Sequence, residues 1–319
     1  MKSLKKCFSL AGGRKSGLSF ATFAICVIIL LAVPLQISCS DSGDDNGDST
    51  VGATLEGGAD VEKNNSGEIK PSDGKDDSNP SETRLNIDNL MIPVPNMHYS
   101  IMATEVTQEL YESVMGENPS EFKGEKNLPV ENVSWVDAVA FCNELSVKEG
   151  LKPCYSYKEN TNAAQWGLDN NEMSDWSENK WKKFNKNFAC DTTADGNRLP
   201  TVAEWLWAAM GGQVFKCSGS DNLDEVGWYY KNSEEKTHPV VQKKPNGYGL
   251  YDMSGNVWEW CGDLDEYFWD FDPDYSNVRY NCGGWSSNAY YCEVGYEFWS
   301  DANITSNNLG FRIVRSTGK

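Results

Sequence analysis

From about residue 86 to the C-terminus, three stretches carry a full set of helix signals, and turn residues interrupt the rest every few positions. "TEVTQELYESVMG" predicts a helix from about Gln108 to Met115, because Thr107 can accept from its first unpaired N–H groups and Gly116 can end it. A second begins at Ser134, where "SWVD" offers a capping box, and carries Trp135, Val139, Cys142 and Leu145 along one face. The third is "LPTVAEWLWAAMGG", with Thr201 and Glu204 as the box and Gly211 as the stop. Around them "HPVVQ" and "GFRIVRS" predict short strands. Few helices and much loop give an α+β fold with long irregular loops, more loop than ordinary core packing requires.

The 12 Trp and 14 Tyr in 319 residues are ample material for a core. A formal charge of −19, from 28 basic and 47 acidic side chains, argues against a nucleic-acid partner, since phosphate binding needs a basic face. Much of that charge lies between Ser40 and Glu82, where twelve acids face Lys63, Lys70 and Lys75 without a single aromatic residue. Such a segment cannot bury enough apolar surface to order itself, so residues 40–85 read as a disordered acidic tether.

What is tethered follows from the first residues. Lys2, Lys5, Lys6, Arg14 and Lys15 precede an apolar run from Phe20 to Ile37 that ends in "LQISC" at Cys39. Residues 1–39 read as an export signal with a lipobox, which resembles that of bacterial lipoproteins although Gln36 and Ile37 are looser than its usual pattern. The alternative is an uncleaved anchor, as about 18 apolar residues can span a bilayer. Either places the domain outside the cytoplasmic membrane, and lipid on Cys39 implies a cell-envelope protein displayed at the outer membrane surface.

Of ten cysteines, seven fall in the domain: Cys142, Cys154, Cys190, Cys217, Cys261, Cys282 and Cys292. Their spacing shows neither a CxxC pair nor a metal ribbon. Cys154 in "KPCYSY" and Cys190 in "NFACDTT" could be strand neighbours, and free buried thiols are the other reading.

Taken together, "TEVTQELYESVMG", "NRLPTVAEW", "NGYGLYDMSGNVWEW" and "NLGFRIVRS" resemble, in order and spacing, the formylglycine-generating-enzyme (sulfatase-modifying-factor) type of C-type lectin fold over about residues 88–316. The resemblance implies a domain spanning 86–319. Enzymes of that family oxidise a sulfatase cysteine with two copper-binding cysteines five residues apart after a Gly-Gly motif. Laid on "GGWSSNAYYC", the second falls on Cys292 and the first on Ser287. A hydroxyl is a poor Cu(I) ligand, so no copper is expected. His98 and His238 are too few for the iron sites of other enzymes on this fold, and each reads as a surface or packing residue. The family's structural calcium site maps to the Asp252 carboxylate, the Gly255 and Val257 carbonyls and the Glu259 carboxylate. The alternative is that Asp252 and Glu259 hydrogen-bond a tight turn while Trp258 and Trp260 fill the core.

A narrower resemblance concerns residues 276–316. Variable proteins of diversity-generating retroelements, of the treponeme type, hold an irregular patch between a Gly-rich Trp motif and a terminal "LGFR", rewritten by adenine-directed mutagenesis on a fixed scaffold. Mutable Asn codons cannot yield Lys, Gln, Glu, Met or Trp, and between Gly284 and Asn308 the residues outside the accessible set are Trp285, Glu293, Glu297 and Trp299. Both tryptophans are expected in the core. Ser286, Ser287, Asn288, Tyr290, Tyr291, Phe298, Asp301, Asn303 and Thr305 form a Tyr/Ser/Asn-rich palette like that of antibody loops. The expectation is a surface-displayed lipoprotein that binds diverse protein or glycan ligands through this face. The alternatives are a formylglycine-generating oxidase of exported sulfatases and a catalytically inactive envelope scaffold.

Overall fold

Each capped segment is a helix in a computed structural model of the chain, which describes residues 85–168, 177–264, 277–285 and 288–318. The leader, Cys39 and all but the last residue of the tether lie outside the described residues, as do Ser286 and Ser287. Helix α1 (Gln108–Met115) starts with the Thr107 side chain accepting from Leu110 N and stops at Gly116, whose φ is 82°. Helix α2 (Trp135–Lys148) has the full Ser134/Asp137 box, and its expected stripe of Trp135, Val139, Cys142 and Leu145 is fully buried. Such caps are worth about 1 kcal/mol each.

A helix the sequence reading missed, α3 (Glu178–Asn187), buries Trp181 and Phe184 among Lys and Asn residues that mask its pattern. Next come α4 (Val202–Met210), with both halves of the Thr201/Glu204 box formed, and the single turn α5 (Leu223–Val226).

The strands among the described residues are short. The N-terminal ones are β1 (Met91–Pro93), β2 (Tyr99–Met102), β3 (Tyr155–Tyr157), β4 (Phe188–Cys190) and β5 (Asn197–Arg198). The C-terminal ones are β6 (Trp258–Leu264), β7 (Val278–Cys282), β8 (Glu297–Asp301), β9 (Leu309–Gly310) and β10 (Val314–Ser316). One sheet runs β1-β2-β10-β5, so the last strand lies between two early ones, with Val314 facing both Ile101 and Arg198. A second sheet runs β8-β7-β6-β9, with β9 parallel to β6 and β8 at an edge. The link between β9 and β10, from Phe311 to Ile313, passes through the interior and is wholly buried. Strands β3 and β4 pair separately, with Tyr155 opposite Cys190, and all seven domain cysteines are free.

"HPVVQ" is not a strand. Its backbone N–H groups make no ladder: His238 N donates to Asn256 Oδ1, Val241 N to Asp252 Oδ2, and Val240 N to the lone carbonyl of Asn127. Val241 also has a φ of 69°, outside the extended region. The His238 ring stacks on Trp228 at 3.9 Å, a packing histidine, whereas His98 is exposed.

Candidate ligand-binding face

The irregular stretch leaves the second sheet at the end of β7 through Gly283 and Gly284. At Gly284, φ is 70° and an added Cβ would lie 2.1 Å from Tyr291 O, so only glycine lets the two backbones pass. The chain then forms a 3-10 turn, Ala289–Cys292, in which the exposed Asn288 accepts from Tyr290 N, and returns as the edge strand β8. Every residue of β8 is in register with β7, from Val278 opposite Asp301 to Cys282 opposite Glu297.

After β8 the segment is tied to the scaffold through its backbone. Ala302 N donates to Asn277 O, and Trp135 N, at the start of α2, donates to Ala302 O. Asn132 N reaches Ser306 O and Trp258 N reaches Asn308 O. Between these fixed points Ile304 and Thr305 are exposed and Asn303 is half-buried, whereas Ala302 is sealed inside.

The aromatic side chains form a connected surface. Tyr290, Tyr291 and Tyr296 meet edge to face at centroid distances of 4.8 to 6.0 Å, and Phe298 lies 5.9 Å from both Trp258 and Trp299. Tyr290 is 42% exposed and Phe298 46%, while Tyr291 and Asp301 are half-buried. The expectation of a core Trp299 is overturned: it is 43% exposed, because β8 is an edge strand with solvent at its surface. Trp285 is half-buried, although its indole N–H is enclosed without an acceptor. The structure thus brings Asn288, Tyr290, Tyr291, Phe298, Asp301, Asn303 and Thr305 onto the β8 edge and the segments flanking it.

The interior holds a charged cluster that sequence reasoning only half found. Arg312 donates from Nε to Glu259 Oε2 and from Nη2 to Glu259 Oε1, both at 2.6 Å, and both residues have zero exposure. Trp205 Nε1 adds a third donor to Glu259 at 2.7 Å. Glu105, also fully buried, accepts from Asn256 Nδ2 and from Val257 N, which knits the 252–257 turn to the region after β2. Burial, then Asp252 and then Glu259, push the Glu105 carboxyl well up. Burial pushes Asp252 up to about 6. Glu105 was missed, and its signal was an acid within the otherwise unbroken "IMATEV" run.

The model of the sulfatase-modifying factor enzyme 1-like domain matches residues 91–317. The chain belongs to that family. It is 37% identical to Treponema denticola variable protein 1, covering 72% of this chain and 92% of that one with a TM-score of 0.57. It is 41% identical over 235 residues to the chaperone protein LppX of Paenibacillus barcinonensis, 66% of this chain and 78% of the relative. To the mouse formylglycine-generating enzyme it is 31% identical over 149 residues, 37% of this chain and 39% of the enzyme. The fold is the α+β one expected of a formylglycine-generating-enzyme-like chain, and it is shared with a treponeme variable protein.

Two family chemistries meet this chain's residues differently. Cys292, which the resemblance lays on one family thiol with Ser287 on the other, is 1% exposed with its thiol 3.5 Å from Gly284 O. For calcium, Asp252 keeps a buried Oδ1 without a donor, but Glu259 is already the counter-ion of Arg312. The expected set of Asp252, Gly255, Val257 and Glu259 therefore does not fit a four-ligand calcium site, because both oxygens of the Glu259 carboxylate are already held by the Arg312 guanidinium. Among the described residues no cluster of His, Cys, Asp and Glu is arranged to hold a metal. The bonds of the two carboxylates leave the turn as well: Asp252 accepts from Val241 N and Glu259 from Trp205 and Arg312, and Trp260 is fully buried whereas Trp258 is half-buried against Phe298.

Proposed function

We propose that this chain is a lipid-anchored, non-enzymatic envelope protein that presents residues 286–305 as a variable ligand-binding face on a fixed scaffold. The carrying observation is the division of labour after β8. Backbone bonds from Trp135, Asn132 and Trp258 hold the segment, so its outward side chains can change without loosening it. Tyr290 and Phe298 supply rigid aromatic anchors, and Asn288, Asn303 and Thr305 supply small polar groups, the division used by antibody loops. Cys39 carries the lipid and the acidic tether holds the domain away from the membrane.

The test is genomic. The coding region should have a nearby non-coding repeat of the codons for about 276–316, with adenines at the positions where the two copies differ. Lack of any such repeat, or differences away from adenines, contradicts the variable reading. The similarity to a chaperone protein favours one other reading, in which the same face holds an exported client. A fixed sequence at the face across isolates would select that reading.

A further inference from the structure

The composition of the face defines what it can hold. Between Tyr280 and Phe311 there is no Lys, Arg or His, while Glu293, Glu297 and Asp301 all lie there. The exposed rings of Tyr290 and Phe298 add the negative face of an aromatic quadrupole to those carboxylates. Elsewhere the chain covers such rings with its own cations. Lys243 stands 3.9 Å over Trp228, Lys158 4.7 Å over Tyr157 and Arg279 4.4 Å over Trp135. Among the described residues no cation stands over Tyr290, Tyr291, Tyr296 or Phe298.

Resting on the binding-face reading above, we infer that the face takes a Lys- or Arg-bearing segment of a partner protein. A guanidinium or ammonium over the Tyr290 or Phe298 ring gains from the ring quadrupole and from the excess negative charge of the stretch at once. An uncharged glycan gains the ring contact and hydrogen bonds to groups such as Asn288 and Thr305, but nothing from the excess negative charge. A second copy of this chain would bring the same acids and rings to the interface and meet like charge. Lys216, whose carbonyl accepts from Val294 N, lies at one margin, where Asp221 accepts from its backbone N–H.

Binding is measured by calorimetry on the full chain in detergent at about 0.15 M salt, where charges beyond roughly 8 Å are screened. The probes are a synthetic peptide alternating Arg and Lys with Gly, the same peptide with Gln for each basic residue, and a neutral oligosaccharide. The expected result is binding of the basic peptide alone, weakened about tenfold by Phe298→Ala and several-fold by Glu293→Gln, and unchanged by Glu112→Gln on α1. Basic-peptide binding indifferent to Phe298→Ala is general attraction to an acidic chain and overturns the proposal. Binding of the neutral peptide or oligosaccharide that is lost with Phe298→Ala overturns the cationic ligand class and leaves the face standing. Concentration-dependent dimerisation abolished by Phe298→Ala overturns it in favour of self-association. If no probe responds to either face substitution, both the inference and the face fail.

Discussion

Arg312 grips Glu259 at two points, 2.6 Å each, with neither side chain exposed, and the pair joins the link before β10 to β6. Arg312 also donates to the carbonyls of Met102 and Tyr251, so one guanidinium fastens the region after β2, the 252–257 turn and the C-terminal link together. Removing one partner of a buried pair leaves an uncompensated charge. Arg312→Met should therefore lower stability by about 3 to 5 kcal/mol, read as a fall in urea midpoint at constant slope. A loss below about 1 kcal/mol would show that this junction does not hold the scaffold.

Asp252 makes stability depend on pH in a defined direction. Its folded pKa is raised to about 6 by burial, against about 3.9 in an unfolded chain, so the folded state holds its proton through that window. Its contribution is greatest below about pH 4, declines as pH rises to about 6, and is flat above. The decline amounts to about 2 to 3 kcal/mol. Glu131, raised to about 7 by burial, extends the same trend upward. Asp252→Asn keeps an acceptor for Val241 N and suits the φ of 58°. The difference between the native chain and this variant, measured by urea unfolding from pH 4 to 7, should shrink by that amount as pH falls. A constant difference would contradict the assignment.

Calcium should leave the domain unchanged, since Glu259 already has its cation in Arg312. Calcium at about a hundred times a dissociation constant would add about 2.7 kcal/mol and raise the melting temperature by roughly 5 to 10 °C in a domain of this size. The expected melting curves in calcium and in chelator coincide. A shift of that size would place a metal at Asp252 and displace the present account of Glu259.

Oxidation of a sulfatase peptide should be absent. Ser287 cannot supply the second thiolate, and Cys292 is enclosed. The purified chain, loaded with Cu(I) and given a sulfatase-type cysteine peptide, should form no formylglycine. Turnover in that assay would return the chain to the enzymes of its family.

The parts of the fold that were legible are those written in local chemistry. Thr107, Ser134 and Thr201 announced three helix starts, and the spacing of Trp135 to Leu145 announced the buried side of α2. Helix α3 was hidden because its two buried rings stand among Lys and Asn, and "HPVVQ" misled because its backbone bonds go to Asn256 and Asp252 across the chain. The junction was illegible for the same reason. Glu259 and Arg312 are 53 residues apart, and no local pattern says that an acid in a turn motif answers an arginine in a strand motif. Trp299 was misplaced because residue type alone suggests core, whereas exposure was decided by β8 being an edge strand.

The central claim, a fixed scaffold beneath replaceable side chains, is tested most directly by a saturation scan read out as resistance to proteolysis. At Asn288, Tyr290, Phe298, Asn303 and Thr305 most substitutions should change stability by no more than about 0.5 to 1 kcal/mol. At Trp205, Glu259, Trp260 and Arg312, which are 1% exposed or less, most should cost about 3 kcal/mol or more. Two separate distributions are the predicted result. Equal sensitivity at Tyr290 and Phe298 would contradict the account, because those rings would then be core and could not be exchanged for a new ligand.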